Sequence, residues 1–225
     1  DLADVVEQAT DHGASVIALR AEGRGFCSGA DIGGDPTADD GPAKTDTIVA
    51  GERLVRAMTT SPLPVVSAVH GPCAGIGVPL ALAADLTLAS DQAFFMLAFT
   101  RIGLMPDGGA TALVAAAVGR ATAMRMALLA ERITAADAAA QGLIASVSRA
   151  DTFGAHVNDV LARLAAGPSV AYALTKPAVN DATLGSLDHA FEVELEGQAG
   201  LLVAADFVEG TTAFREKRAA VFTDR

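Results

Sequence analysis

The chain has no tryptophan, one tyrosine and only two cysteines in 225 residues. With aromatics at 4%, its core must be built from aliphatic side chains. Cys27 and Cys73 stand in neither a metal-ligand nor a redox spacing, so no metal site and no disulfide framework is expected. Basic residues are also short. A net charge of -11 argues against nucleic acid and anionic membrane surfaces as partners, because both need a basic face. It leaves room for a phosphate-bearing ligand at a local basic spot. No run of about 18 apolar residues is free of charges or breakers, so no membrane span is expected. There is no N-terminal targeting pattern, which makes a reduced cytoplasm the expected location.

What is present is small and apolar. Half the residues are hydrophobic and the mean hydropathy is +0.38, more than a soluble monomer needs. That excess predicts a subunit interface. The chain opens in a helical pattern with Leu2, Val5, Val6 and Ala9 on one side, so some N-terminal sequence is expected to be absent. A strand over "SVIALRA" and a glycine-rich loop, "EGRGFCSGADIGG", come next. The polar stretch "DPTADDGPAKTDT" reads as a mobile loop. Residues 47–60 read as a helix with Ile48, Leu54, Val55 and Met58 inward. A strand is predicted from Val65, a helix over 75–84, and one or two strands in "DLTLASDQAFFML". A mostly helical stretch follows, in which Thr134 and Asp137 have capping-box spacing. "GLIASVS" returns to a strand. Beyond Asp151 every periodic segment is helical, which divides an α/β core (1–148) from a helical region (149–225).

The stretch "VVSAVHGPCAGIGVPLALAADLTLAS", residues 65–90, carries a glycine-punctuated bend whose N–H groups suit a developing negative charge. No side chain from Gly71 to Ala84 is ionisable, so an acid or base must come from elsewhere. Asp107, in "LMPDGG", has two readings. As a cap for the next helix its pKa would fall; as a base it would have to rise. Asp31 reads as a loop-stapling acceptor, Asp85 as a helix-end residue and His70 as a satisfied core histidine. Glu131, Glu192, Glu194 and Glu196 read as solvated helix faces. "GFCSG" lacks the spacing of a nucleophile elbow, and "GIG" does not complete a dinucleotide fingerprint. "FFML" and the 33–46 loop are candidate acyl contacts, and "FREKR" a candidate phosphate contact.

Five stretches taken together, "GRGFCSGADI", "PVVSAVHGPCAGIGVPLALAADLTLAS", "FTRIGLMPDGG", "ITAADAAAQGLI" and "EGTTAFREKR", resemble the crotonase family, also called enoyl-CoA hydratase/isomerase. The resemblance runs through essentially the whole chain in order. It implies an α/β spiral of strand–strand–helix units with a C-terminal helical region that builds a homotrimer or hexamer. Against that pattern roughly the first two strands and part of the first helix are expected to be missing here, and those strands would carry part of the CoA contact. The implied substrate is an acyl-CoA thioester, with coenzyme A as part of the substrate and no separate cofactor or metal. By position, the N–H groups of Ala30 and Ile76 would hold the enolate oxygen, flanked by Gly29, Asp31, Ile32 and Gly75. Ile76 stands where the family usually has glycine. The two hydratase glutamate positions are Pro79 and Phe99, neither able to move a proton. Asp107 remains where the isomerase branch keeps its base. Double-bond isomerisation is therefore favoured. A hydratase with atypical acids and a non-catalytic acyl-CoA-binding member remain as alternatives.

Overall fold

The computed structural model describes residues 1–32 and 44–224; the core of the expected 33–46 loop lies outside them. In chain order the elements are α1 (Leu2–Gln8), β1 (Ile17–Leu19), α2 (Lys44–Thr60), β2 (Val65–Val69), β3 (Pro72–Ala74) and α3 (Gly77–Leu82). Next come β4 (Leu86–Ser90), β5 (Phe94–Met96), a 3-10 turn (Phe99–Ile102), α4 (Ala110–Leu129), β6 (Ile133–Thr134), α5 (Ala135–Ala140) and β7 (Ser146–Ser148). Four helices end the chain: α6 (Phe153–Ala165), α7 (Ser169–Leu184), α8 (Leu187–Leu201) and α9 (Ala205–Glu216).

Two sheets result. One is wholly parallel, in the order β1-β2-β4-β7; the other is β3-β5-β6, with β3 and β5 parallel. β2 and β3, then β4 and β5, each run one strand into each sheet before a helix returns. This is the strand–strand–helix repeat. All five residues of β2 are buried, as expected for a central parallel strand covered on both faces. Val69, Val78, Phe95, Leu97 and Met126 anchor an aliphatic core with few rings.

The inward face of α2 is as the periodicity predicts: Ile48, Leu54, Val55 and Met58 are all buried. That of α1 is not. Ala3 and Val6 pack against α2, whereas Leu2 and Val5 are 58% and 65% exposed. Among the described residues one helix, α4, is long and apolar enough to cross a membrane by length and composition. It is interrupted at Gly119, whose φ of 72° and ψ of 165° are not helical, and Arg120 follows directly.

Beyond Ser148 the described elements are all helices, and α7 is tied to the sheet by one buried cation. Lys176 Nζ donates to the carbonyls of Met58 (2.7 Å) and Leu63 (3.2 Å) and pairs with Asp85 Oδ2 at 3.0 Å. Asp85 in turn accepts the Val65 N–H at 2.7 Å, at the start of β2. Asp85 is thus structural, as expected, but it joins strands to a helix rather than ending a helix. Removing one partner of a buried pair strands the other. Lys176→Met should lower unfolding free energy by about 3 kcal/mol in urea titrations.

Candidate active site

Cys27 forms an isolated bridge beside β3. Cys27 N–H donates to the Pro72 carbonyl at 3.1 Å, and the Cys27 carbonyl accepts from Ala74 N–H at 2.8 Å. Cys27 therefore pairs with Cys73 in parallel register. Two residues further on, Gly29 and Gly75 meet. Their φ values are 103° and 57°, a region that side-chain-bearing residues avoid. A methyl group on Gly75 would come within 3.3 Å of Gly29 Cα. Both chains bend out of the pairing here, and the next N–H groups, those of Ala30 and Ile76, emerge from the same end of it. Neither donates to any group among the described residues. Two backbone donors left unpaired beside one bend are what an oxyanion needs.

The turn before α4 closes over this bend. A methyl on Gly108 would lie 2.3 Å from Ile76 Cδ1 and 3.3 Å from Pro79 Cγ, so Ile76 and Pro79 touch the turn that carries Asp107. Pro79 is buried in the first turn of α3, where a missing N–H costs nothing. Phe99 opens the 3-10 turn and is 7% exposed, packed into the main core. Asp31 is exposed and engaged in interactions of its own, and Ile32 is half-buried. The structure thus brings Gly29, Ala30, Gly75, Ile76, Pro79 and the Asp107 turn together, with Asp31 and Ile32 on the adjoining chain. The candidate acyl contact "FFML" is different: Phe95 and Leu97 are core residues of and beside β5. In "FREKR", Arg218 is occupied by Glu209 and Glu216.

Asp107 does not cap α4. The helix begins at Gly109 with no side-chain cap from its own flank, and only the Asp107 carbonyl reaches Ala110 N–H. The cap comes from α8. Glu194 Oε2 accepts from Gly109 N–H (2.6 Å), and Oε1 accepts from Thr111 N–H (2.9 Å) and the Thr111 hydroxyl (2.5 Å). Glu194 is fully buried, which corrects the expectation that it lies on a solvated face; Glu192 and Glu196 are exposed as expected. Burial pushes the Glu194 pKa upward against these three donors.

Relieved of capping, Asp107 sits 8% exposed and takes one hydrogen bond, from Gln198 Nε2 to its Oδ2 at 2.8 Å. Burial raises its pKa to about 6; the Gln198 bond lowers it and the Glu194 charge raises it further. A third carboxyl, Glu52 of α2, is raised to about 7 by burial and by the charges of Glu194 and Asp107. The sequence reading did not single out Glu52 or Gln198. Their signal is a polar residue inside an apolar stripe: Ile48, Glu52, Val55 on α2, and Leu187, Phe191, Glu194, Gln198 on α8 follow helical spacing.

A sequence model of the family described as enoyl-CoA hydratase/isomerase matches residues 1–225. The chain is 45% identical to a probable enoyl-CoA hydratase of Rhodobacter capsulatus, over 94% of this chain and 82% of that protein. It is 37% identical to the 1,2-epoxyphenylacetyl-CoA isomerase of Escherichia coli K12, over 93% of this chain and 81% of that one. Among solved structures, an enoyl-CoA hydratase from Mycobacterium avium subsp. paratuberculosis K-10 superposes with a TM-score of 0.91 at 54% identity, covering 99% of this chain and 86% of that chain.

Because the folded protein holds the Asp107 proton more tightly than the unfolded chain, Asp107 favours folding most below about pH 4. That contribution is lost as pH rises through about 6. A neutral asparagine escapes the loss. Asp107→Asn should be more stable than the wild type at pH 8, by on the order of 1–3 kcal/mol in denaturant titrations, with the gap closing towards pH 4. A capping aspartate would give the opposite sign.

Proposed function

The chain belongs to the enoyl-CoA hydratase/isomerase family, and from that premise we propose that it moves the double bond of an enoyl-CoA thioester rather than hydrating it. The observation that supports this most is Asp107, a buried carboxylate with a raised pKa, excused from capping by Glu194 and oriented by Gln198. A carboxylate at its ordinary pKa of about 4 is a poor base near neutrality, and one near 6 is well matched.

In a 3-enoyl thioester the C2 proton goes to Asp107. The electrons freed from that bond place charge on the thioester oxygen, which the N–H groups of Ala30 and Ile76 receive. Donors already in position cost no reorganisation when the charge appears. Collapse of the enolate returns a proton at C4 and leaves the double bond at C2–C3. Pro79 and Phe99 offer no carboxyl to activate water, which favours this reaction over hydration. The relative named an isomerase takes an epoxide, so it supports isomerase chemistry in general rather than this double-bond shift, and the relative named a hydratase makes hydration the second reading. The chemistry asks only for a base and an oxyanion clamp, so no metal or redox cofactor is proposed, and a cytoplasmic location suits its two free thiols.

Assembly into a homotrimer or hexamer is part of the proposal. Val170, Leu174 and Val179 on α7 are 73%, 70% and 54% exposed. They lie on or beside an open apolar groove of about 500 Å3 on the outer face of that helix. Isolated apolar residues at a surface are ordinary, but a contiguous helix face of them calls for a covering partner.

Assays of 3-enoyl-CoA isomerisation and of crotonyl-CoA hydration, run on the same preparation, separate the two readings. Isomerisation should dominate. Asp107→Asn should lose about 10²–10⁴ in kcat, the usual worth of a positioned general base. Near-normal isomerisation by that variant, or faster hydration by the wild type, would overturn the assignment.

A further inference from the structure

Glu52 is a puzzle for any purely structural account. Its Oε1 is shut off from solvent and has no hydrogen-bond partner among the described residues. Buried carboxyl oxygens are normally satisfied, and an orphan calls for an explanation. The two arginines on its own helix do not pair with it: Arg53 reaches Asp1, Asp4 and Glu7, and Arg56 reaches Asp188. A second orphan lies in the same cluster. Gln198 is 1% exposed, and while its Nε2 serves Asp107, its Oε1 has no partner.

Backbone contacts bring the segments that carry Glu52 and Asp107 to one place. Ile76 Cδ1 sits between two glycines, 3.2 Å from a methyl built on Gly51 and 2.3 Å from one built on Gly108. Glu52 and Asp107 are the sequence neighbours of those glycines. α2 and the turn before α4 thus meet at the same isoleucine, whose N–H is one of the two proposed oxyanion donors.

We infer that Glu52 is a second catalytic carboxyl, delivering a proton to C4 of the substrate while Asp107 takes one from C2. This rests on the isomerase reading above and assigns its second proton step. The C2–H bond breaks towards the Asp107 carboxylate, and its electron pair forms the enolate. When the enolate collapses, the C2–C3 double bond forms and the C3–C4 π pair takes the proton of the Glu52 acid, leaving a carboxylate. One proton has then moved from Glu52 to Asp107, and exchange with solvent water restores both groups.

Burial raises both carboxyls into the range where each can hold or release a proton near neutrality. The charged groups that act on Glu52 are Asp107 from the turn before α4, Glu194 from α8 and Arg56 on α2 itself. No ionisable side chain comes from α3.

The test pairs isomerisation with exchange of the C2 proton in D2O. Glu52→Gln keeps the shape and should isomerise about 10²-fold more slowly while still exchanging C2–H within a few-fold of wild type. Asp107→Asn should lose both. The wild-type kcat profile should fall on the alkaline side, and Glu52→Gln should lose that limb. Isomerisation by Glu52→Gln at the wild-type rate would overturn the inference alone. So would a parallel loss of exchange and isomerisation, which would mean that Glu52 acts only through Asp107. Should the variant fail to fold, a wild-type profile flat to about pH 9 would overturn it instead. A wild type that neither exchanges nor isomerises any enoyl-CoA would remove the parent reading, and this one with it.

Discussion

The carboxylate of Glu194 at the start of α4 is the interaction on which the rest of the site depends. A helix start leaves N–H groups unpaired, and the nearest acid, Asp107, would ordinarily satisfy them. Glu194 reaches across from α8 and takes that duty with three hydrogen bonds. Asp107 is thereby left with a single donor, Gln198, and with a buried negative neighbour. Burial is the largest push on its affinity for a proton; the Glu194 charge adds to it and the Gln198 bond opposes it. The same charge acts on Glu52. One cap thus adds to the proton affinity of two other carboxyls that burial has already raised.

It follows that the C-terminal helices are not an appendage to the catalytic core. α8 supplies Glu194 and Gln198, and Gly197 lies against Met105, so close that a methyl there would come within 2.2 Å of its sulfur. α7 is bound to the sheet by Lys176 and Asp85. Division of the chain after Ser148 describes composition, since the chemistry draws on both sides of it. A surface on α7 would connect to the site through α2 and α4, each of which packs against both α7 and α8.

The sequence revealed the fold well where periodicity and turn chemistry agree. The buried face of α2, the fully buried β2 and the Thr134 cap on α5, where Thr134 accepts from Asp137 N–H at 3.1 Å, could all be read from residue spacing. The Ala30 and Ile76 N–H groups were proposed as donors only through the family resemblance, because a main-chain N–H leaves no trace in residue identity beyond the glycines before it. Glu194 was misread because charge outweighs position in a sequence reading: a glutamate flanked by Glu192 and Glu196 looks solvated. Its i+4 partner Gln198 and the apolar Leu187 and Phe191 on the same stripe held the contrary signal. Glu52 escaped notice for the same reason, standing between Ile48 and Val55. What no spacing could convey is that α2, α8 and the turn before α4 converge, since that is settled by tertiary packing.

The central claim is that burial, reinforced by the charge of the capping Glu194, holds the Asp107 proton to near pH 6. Site-resolved 13C NMR titration of the Asp107 carboxyl carbon, in the wild type and in Glu194→Gln, measures it directly. The account predicts that Asp107 titrates near pH 6 in the wild type. It predicts a lower midpoint once the neighbouring charge is removed. An Asp107 that titrates at about 4 in the wild type, as a solvated or capping aspartate would, contradicts it.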